Sequence, residues 1–397
     1  MSETTFPIDA LLPDILGSLA EHPRLVLEAP PGAGKTTRVP PALLAAPWLE
    51  GRRIVMLEPR RVAARAAAGF MAAALGEDVG QTVGYRIRFE RRVSAATRIE
   101  VVTEGILTRM LQDDPMLDGV GALLFDEFHE RHLAADLGLA LALDVQAGLR
   151  EDLRIVVMSA TLDGERLAGW LDAPRLSSAG RSFPVEIAHF PARRDEALEH
   201  QLRRAVEQAL ERHPGDVLAF LPGRREILRA RAALSASATV ASAGAELLEL
   251  HGELPVEEQA HLLRPAGDGR RRVVLATNVA ESSLTLPGVR VVVDSGLARE
   301  PRHDPNSGFS RLDVVRIAQA SADQRAGRAG RVAVGWAYRL WPESQRLEPQ
   351  RRPEIGQVEL AGLALELAAW GSAALRFVDP PPAGAMAAAR DLLRQLG

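Results

Sequence analysis

A single lysine stands among the 48 Lys and Arg residues of this 397-residue chain, and it lies in Ala29-Pro-Pro-Gly-Ala-Gly-Lys-Thr-Thr37. Every other cation is an arginine, so the preference for guanidinium stops at the position where a compact ammonium must fit among phosphate oxygens. A Gly-rich turn running into Gly-Lys-Thr between an apolar strand and a helix is the pattern of a phosphate-binding loop. Arg24–Glu28 (RLVLE) reads as the strand and residues 36–44 as the start of the helix. Pro31, Gly32, Ala33, Gly34, Lys35, Thr36 and Thr37 are the candidate nucleotide-binding residues. Gly32 and Gly34 let backbone N–H groups turn toward an anion, Lys35 reaches the outer phosphates, and the Thr36 hydroxyl can ligate Mg2+. Ala29 stands where the general pattern has its first Gly. A strand, loop and helix in this order commit the chain to parallel α/β architecture.

The remaining composition narrows the setting. With 47% hydrophobic and 25% charged residues the chain is neither disordered nor fibrous, and its length suits two or three domains. The apolar run 137–145 falls well short of the ~20 residues that span a bilayer, and the N-terminal decapeptide lacks a basic region followed by an apolar one. No membrane association and no export signal are therefore expected. The absence of cysteine removes disulfides, thiolate nucleophiles and Cys-based zinc sites, and fits a reducing cytoplasm. Any metal must be held by oxygen. The net charge of −4 leaves nucleic-acid binding, if present, to a local groove.

Apolar runs alternate with amphipathic segments through the first half: residues 52–58, 98–104, 121–127 and 154–161, each followed by a plausible helix. Residues 176–183 (LSSAGRSF) read as a linker. The pattern then restarts with PVEIAHF, a long helix over 195–213, and the strands GDVLAFLPG, ELLELHG, RRVVLAT and VRVVVDS. From about residue 345 two helical patterns remain, 355–370 and 385–396, separated by Asp379-Pro-Pro-Pro382. The expected domains are 1–177, 178–345 and a tail, 346–397, too short to stand alone.

Asp126 and Glu127 follow the apolar run GALLF, where acidic side chains emerge at the carboxyl edge of a parallel sheet, the edge at which ligands bind in open α/β folds. Asp126 is the candidate for holding Mg2+ and Glu127 for orienting or deprotonating the attacking water; both are also candidate metal-shell residues with Thr36. Alone, such a pair is more often a solvated loop or helix cap. Standing about 90 residues after a phosphate loop and followed by His129, it marks a site. Gln324-Arg-Ala-Gly-Arg-Ala-Gly-Arg331 puts guanidinium groups at a spacing of three, along one side of an expected helix with small residues between. Charge runs are usually solvated faces, but the leading Gln and the Gly spacing favour a functional one.

Taken in order, APPGAGKTT, LEPRRVAAR (57–65), GYRIRFE (84–90), TEGILTRM (103–110), DEFHER (126–131), SAT (159–161), FLPGRREI (220–227), ATNVAESSLTLPGV (276–289), VVDSG (292–296) and QRAGRAGR (324–331) resemble a superfamily 2 helicase core of the DEAH/DExH class, most closely the bacterial HrpB type. Phe128 replaces the Ala of DEAH at a position that does not bind metal. The resemblance implies two tandem RecA-like parallel-sheet domains followed by a partial winged-helix segment. Its activity would be an ATP-dependent helicase or translocase that uses Mg2+ and acts on single-stranded nucleic acid, RNA before DNA. It also implies that His129 couples the site to the second domain and that Ser159 and Thr161 link hydrolysis to movement. Gln324, Arg328 and Arg331 would reach the γ-phosphate, completing a site in the cleft between the domains.

On the strand side the resemblance points to Arg60, Arg61, Thr103, Gly105, Gly223, Thr277 and Asn278 as contacts to phosphates and sugars, which carry no base information. Each alone could be a cap or a turn. Pro305-Asn-Ser-Gly308 lies between two segments able to pair as a hairpin, which in relatives separates strands; a plain surface turn is the other reading. The Gln motif that reads adenine is missing from residues 6–23, so other NTPs are expected to be accepted. HrpB-type chains continue beyond the point where this one stops, so a fragment or shortened form is expected. A P-loop ATPase that remodels protein, and a nucleotide-dependent clamp with little turnover, remain as rival readings.

Overall fold

A computed structural model of the chain describes residues 6–396 apart from 161–163, 181–182, 255–257, 259–261, 263–268, 282–285, 305–309 and 373–374. It divides into two compact units: Met1–Gly180, Arg302–Arg311 and Arg352–Gly397 form the first, and Arg181–Pro301 with Leu312–Arg351 the second.

In the first unit, the strands β1 (Arg24–Glu28), β2 (Arg53–Leu57), β3 (Val83–Ile87), β4 (Glu90–Arg92), β5 (Ile99–Val102), β6 (Val120–Phe125), β7 (Arg154–Ser159) and β8 (Arg175–Ser177) make one sheet of order β4-β3-β5-β2-β6-β7-β1-β8. All neighbours are parallel except β3 and β4, an antiparallel pair at the edge. Helices α1 (Leu12–Glu21), α2 (Lys35–Leu43), α3 (Arg61–Ala74), α4 (Glu104–Asp113), α5 (Leu133–Gly148) and α6 (Gly164–Leu171) cover it. Alternation along each strand feeds two separate cores, as period-two side-chain direction requires. Ile54 and Met56 join Leu124 and Met158 on one face, while Val55 and Leu57 join Phe125 and Val157 on the other.

The second unit carries β9 (Val185–His189), β10 (Asp216–Phe220), β11 (Glu246–Leu250), β12 (Arg272–Ala276), β13 (Val289–Asp294) and β16 (Gly335–Arg339) in a parallel sheet of order β11-β12-β10-β13-β16-β9. Its helices include α7 (Leu198–Arg212), α8 (Arg224–Ser235), α9 (Ala238–Ser242) and α10 (Gln319–Gly327). The strands β14 (Leu297–His303) and β15 (Ser310–Arg316) form a two-stranded sheet of their own. The turn at Pro305–Gly308 lies outside the described residues.

Where sequence periodicity predicts one helix over 355–370, the structure has a 3-10 turn at Glu354–Gly356 and then α11 (Ala361–Trp370). Two carboxylates account for the break. Glu354 Oε2 accepts the free N–H of Leu133 at 2.7 Å, capping α5, and Glu359 Oε1 accepts from Ala361 N to start α11. The last helix, α12, runs over Ala383–Leu396. Leu363, Ala364, Leu367, Phe377, Met386 and Ala389 from this tail sit in the same core as Leu137, Leu141 and Phe125. That cover explains α5, a helix apolar nearly all round: it is buried against the sheet and α11 at once. Among the described residues no helix is long and apolar enough to cross a membrane.

Candidate nucleotide site

The loop 29–34 connects β1 to α2, and its two sharp turns are glycines with left-handed backbone, Gly32 at φ 88° and Gly34 at φ 95°. A Cβ on Gly34 would stand 2.8 Å from that of Phe6, so neither conformation nor space admits a larger residue. Lys35 opens α2 and is 3% exposed, although it is an ammonium. Its Nζ lies 3.4 Å from Glu127 Oε1 and 4.0 Å from Asp126 Oδ1. Thr36 Oγ1 donates to Asp126 Oδ2. Pro31, Ala33 and Thr37 complete the loop, with Ala33 buried and Thr37 N–H donating to Gly34 O at 3.2 Å.

Asp126 and Glu127 leave the carboxyl end of β6. Asp126 Oδ1 accepts the Glu127 N–H at 2.8 Å, and Glu127 takes the left-handed conformation, φ 50°. That turn aims its carboxylate back at the loop. Burial pushes the Asp126 carboxyl up to about 6 against the pull of Lys35 and the Thr36 hydroxyl. Burial alone would lower the Lys35 ammonium, but the Glu127 and Asp126 carboxylates outweigh it and hold it above its usual value. Sequence reading passed over Glu58, fully buried and raised well above its ordinary value by burial and then by Asp126, Glu127 and Glu130. The register carries the signal: Leu57 pairs with Phe125, so the residues after them, Glu58 and Asp126, leave neighbouring strands side by side.

His129 sits in the 3-10 turn Phe128–Glu130, where its Nδ1 accepts the Ala160 N–H at 3.3 Å and comes 3.4 Å from Glu127 Oε2. Accepting the amide leaves Nδ1 without a proton to give, so the second approach is proximity and not a hydrogen bond. Ser159 ends β7, and its carbonyl accepts from Ala29 N at 3.0 Å. Residues 159–160 thus touch both the phosphate loop and His129. Thr161 lies outside the described residues.

Around this centre stand the strand-side candidates of the first unit. Arg60 caps α3 and donates through Nη2 to Glu130 Oε2 at 2.8 Å, while Arg61 is exposed as the first residue of that helix. Thr103 caps α4 and Gly105 is exposed in its first turn. In the second unit, Gly223 caps α8 and a Cβ there would meet Arg299 Nε at 2.7 Å. Thr277 precedes the 3-10 turn Asn278–Ala280, with its N–H bonded to Leu250 O at 3.1 Å.

The arginine run departs from expectation. Arg325, Arg328 and Arg331 do not share one helix side, because α10 ends at Gly327 and Arg328–Gly330 is a 3-10 turn. Arg325 is interior: 1% exposed, 2.9 Å from both Glu281 Oε2 and Asp294 Oδ1, with its guanidinium 4.8 Å over the Phe220 ring. Burial raises the Asp294 carboxyl even with Arg325 opposing. A carboxylate placed there needs a cation, and Arg325 supplies it. Arg328 is buried and its Nε donates to Glu281 O at 3.1 Å; Gln324 and Arg331 are half-buried.

Residues 10–168 match the DEAD/DEAH box helicase family and residues 197–333 the helicase conserved C-terminal domain. The chain is 46% identical over 400 residues to the ATP-dependent RNA helicase HrpB of Escherichia coli (strain K12), covering 99% of this chain and 49% of that protein. It is 38% identical over 394 residues to the pre-mRNA-splicing factor ATP-dependent RNA helicase prp22 of Schizosaccharomyces pombe, covering 96% of this chain and 34% of that one. It therefore spans half or less of the length of these relatives. A crystal structure of the E. coli DEAH/RHA helicase HrpB superposes with a TM-score of 0.94 over 99% of this chain and 50% of that one. A second, of the E. coli DExH-box NTPase HrpB, gives 0.89 over 100% and 49%; both are 46% identical in sequence.

Proposed function

Since the chain belongs to the DEAD/DEAH box helicases, we propose that it couples ATP hydrolysis to movement along single-stranded nucleic acid, RNA before DNA. The observation that carries this reading is the convergence of Lys35 and Thr36, at the start of α2, on Asp126 and Glu127, at the end of β6, with all but the half-buried Thr36 buried. The donor set fits the expected ligands: a lysine ammonium and a left-handed glycine turn suit phosphates, and a hydroxyl beside a carboxylate suits a hard cation.

Lys35 and the loop amides would hold the outer phosphates of ATP, and Thr36 and Asp126 would hold Mg2+. The metal, when bound, neutralises charge that builds on the transferred phosphoryl group. Glu127 orients the attacking water and takes its proton. A phosphate oxygen near Lys35 Nζ competes with Glu127 for the ammonium, which frees that carboxylate for the water. Gln324, Arg328 and Arg331 are assigned to the γ-phosphate on the family resemblance, a contribution on the order of a thousandfold in rate. His129 lies beside Glu127 and accepts the Ala160 N–H, and we assign it, with Ser159 and Thr161, to coupling hydrolysis with movement.

Arg60, Arg61, Thr103, Gly105, Gly223, Thr277 and Asn278 are proposed to grip the strand by its backbone, so affinity should fall steeply with salt. With no Gln motif, ATP is favoured only weakly over other NTPs. A cytoplasmic setting is proposed from the lack of cysteine. Phosphate release measured with no strand, single-stranded RNA and single-stranded DNA tests the reading. Stimulation by RNA above DNA supports it. Turnover indifferent to both strands would favour a protein-remodelling ATPase, and strand binding without turnover a clamp.

A further inference from the structure

Four side chains of the first unit form a line of alternating charge from the start of α3 to the start of α4. Arg60 Nη2 donates to Glu130 Oε2 at 2.8 Å. The same oxygen lies 3.3 Å from His132 Nε2, and His132 Nδ1 stands 3.0 Å from Glu104 Oε1. An ionised carboxylate only accepts hydrogen bonds, so a histidine whose two ring nitrogens face different carboxylates is placed to donate to both when protonated. With His132 protonated, the order is cation, anion, cation, anion. The neighbouring charges are engaged with one another, since Arg131 pairs with Asp136 at 3.1 Å and with Asp379 at 2.7 Å. The side chains of Arg60, Glu130, His132 and Glu104 are 17, 7, 22 and 17% exposed, so solvent and salt screen the line poorly.

What the line connects gives it a purpose. One end is Arg60, beside Arg61 at the start of α3. The other is Glu104, between Thr103 and Gly105 at the start of α4. Both ends carry the residues proposed to grip a strand. In the middle, the Glu130 N–H donates to Glu127 O at 2.9 Å, closing the turn that keeps Glu127 in its left-handed conformation. A displacement of Glu130 therefore moves the backbone that aims Glu127.

We propose that His132 is a positioning residue that transmits strand binding to the hydrolytic carboxylate. A strand phosphate at Arg60 competes with Glu130 for one guanidinium. Glu130 then leans toward the His132 imidazolium, which stays anchored to α4 through Glu104, and the turn bearing Glu127 shifts with it. The two pairings of Arg60, with Glu130 or with phosphate, are the two states that such coupling requires. The proposal rests on the strand-driven ATPase reading above.

Phosphate release by the 397-residue chain, with and without saturating single-stranded RNA, tests it in His132→Gln, Glu104→Gln, the double variant and His132→Arg. His132→Gln is expected to keep strand-free turnover within about twofold of the parent, to bind ATP normally, and to lose most of the RNA stimulation. Glu104→Gln should reproduce this, with the double variant no worse than either single one. His132→Arg, which restores a cation with several donors, should recover stimulation. Full stimulation in His132→Gln overturns the relay, and so does an equal loss of turnover with and without RNA, the mark of a merely distorted site. Failure of His132→Arg to recover stimulation overturns the charge-based form of it. A parent chain indifferent to RNA overturns the functional reading and the relay together, whereas a stimulated parent with a stimulated His132→Gln overturns the relay alone.

Discussion

Lys35 Nζ and Glu127 Oε1 stand 3.4 Å apart, both side chains under 5% exposed, so the cation proposed for phosphate is paired with the carboxylate proposed for water. On the proposed mechanism, a bound phosphate would draw Lys35 away and release Glu127. Arginine at this position keeps the charge but replaces a point ammonium by a planar fork that cannot enter the same space. Lys35→Arg is expected to lose at least about tenfold in steady-state phosphate release; turnover within about twofold of the parent would remove Lys35 from the mechanism.

Glu127→Gln separates binding from chemistry. The amide keeps the shape of the side chain but cannot take a proton. Nucleotide affinity, read by equilibrium titration with a fluorescent ATP analogue, should hold within a few-fold, while hydrolysis falls by about a hundredfold or more. Normal hydrolysis in this variant would exclude Glu127 as the base.

The arginine run should divide by function. Arg325→Ala leaves Asp294 buried beside an empty space, and removing one partner of a buried pair costs about 3–5 kcal/mol, so thermal or urea unfolding should report it. Arg331→Ala should leave unfolding unchanged and reduce ATP turnover severely. If Arg325→Ala proves as stable as the parent, or Arg331→Ala as active, the division is wrong.

The tail 361–396 is predicted to hold the first unit together. Leu363→Ala removes side-chain volume from a core shared with α5, which in comparable cores costs about 2–5 kcal/mol. Urea unfolding should move accordingly. A change under about 0.5 kcal/mol would mean that α11 is only loosely attached.

How far the sequence discloses this structure depends on the kind of constraint. The phosphate loop and the acidic pair are legible because phosphate and metal chemistry demand particular residue types at fixed spacing. The main parallel strands are legible as unbroken apolar runs, since both their faces are buried. The edge strands β3 and β4 were not, because Gly84, Arg86, Glu90 and Arg91 break up any apolar pattern. The 1% exposure of Arg325 was hidden as well. Its spacing equals that of Arg328 and Arg331, and only the tertiary position of Asp294 separates it from them. Glu58 and His132 read as ordinary polar residues until strand register and helix ends bring them beside other carboxylates.

The central claim is that hydrolysis moves the chain along a strand, and the direct measurement is of movement. Single-stranded RNAs of increasing length, each with a fluorophore at one end, can be mixed with the pre-bound chain and ATP in a stopped-flow instrument. The account predicts a lag before the end-signal that grows with RNA length, disappears in Lys35→Arg and in the absence of ATP, and lengthens as ATP is made limiting. A signal that is independent of RNA length, or that appears equally without ATP, would contradict it.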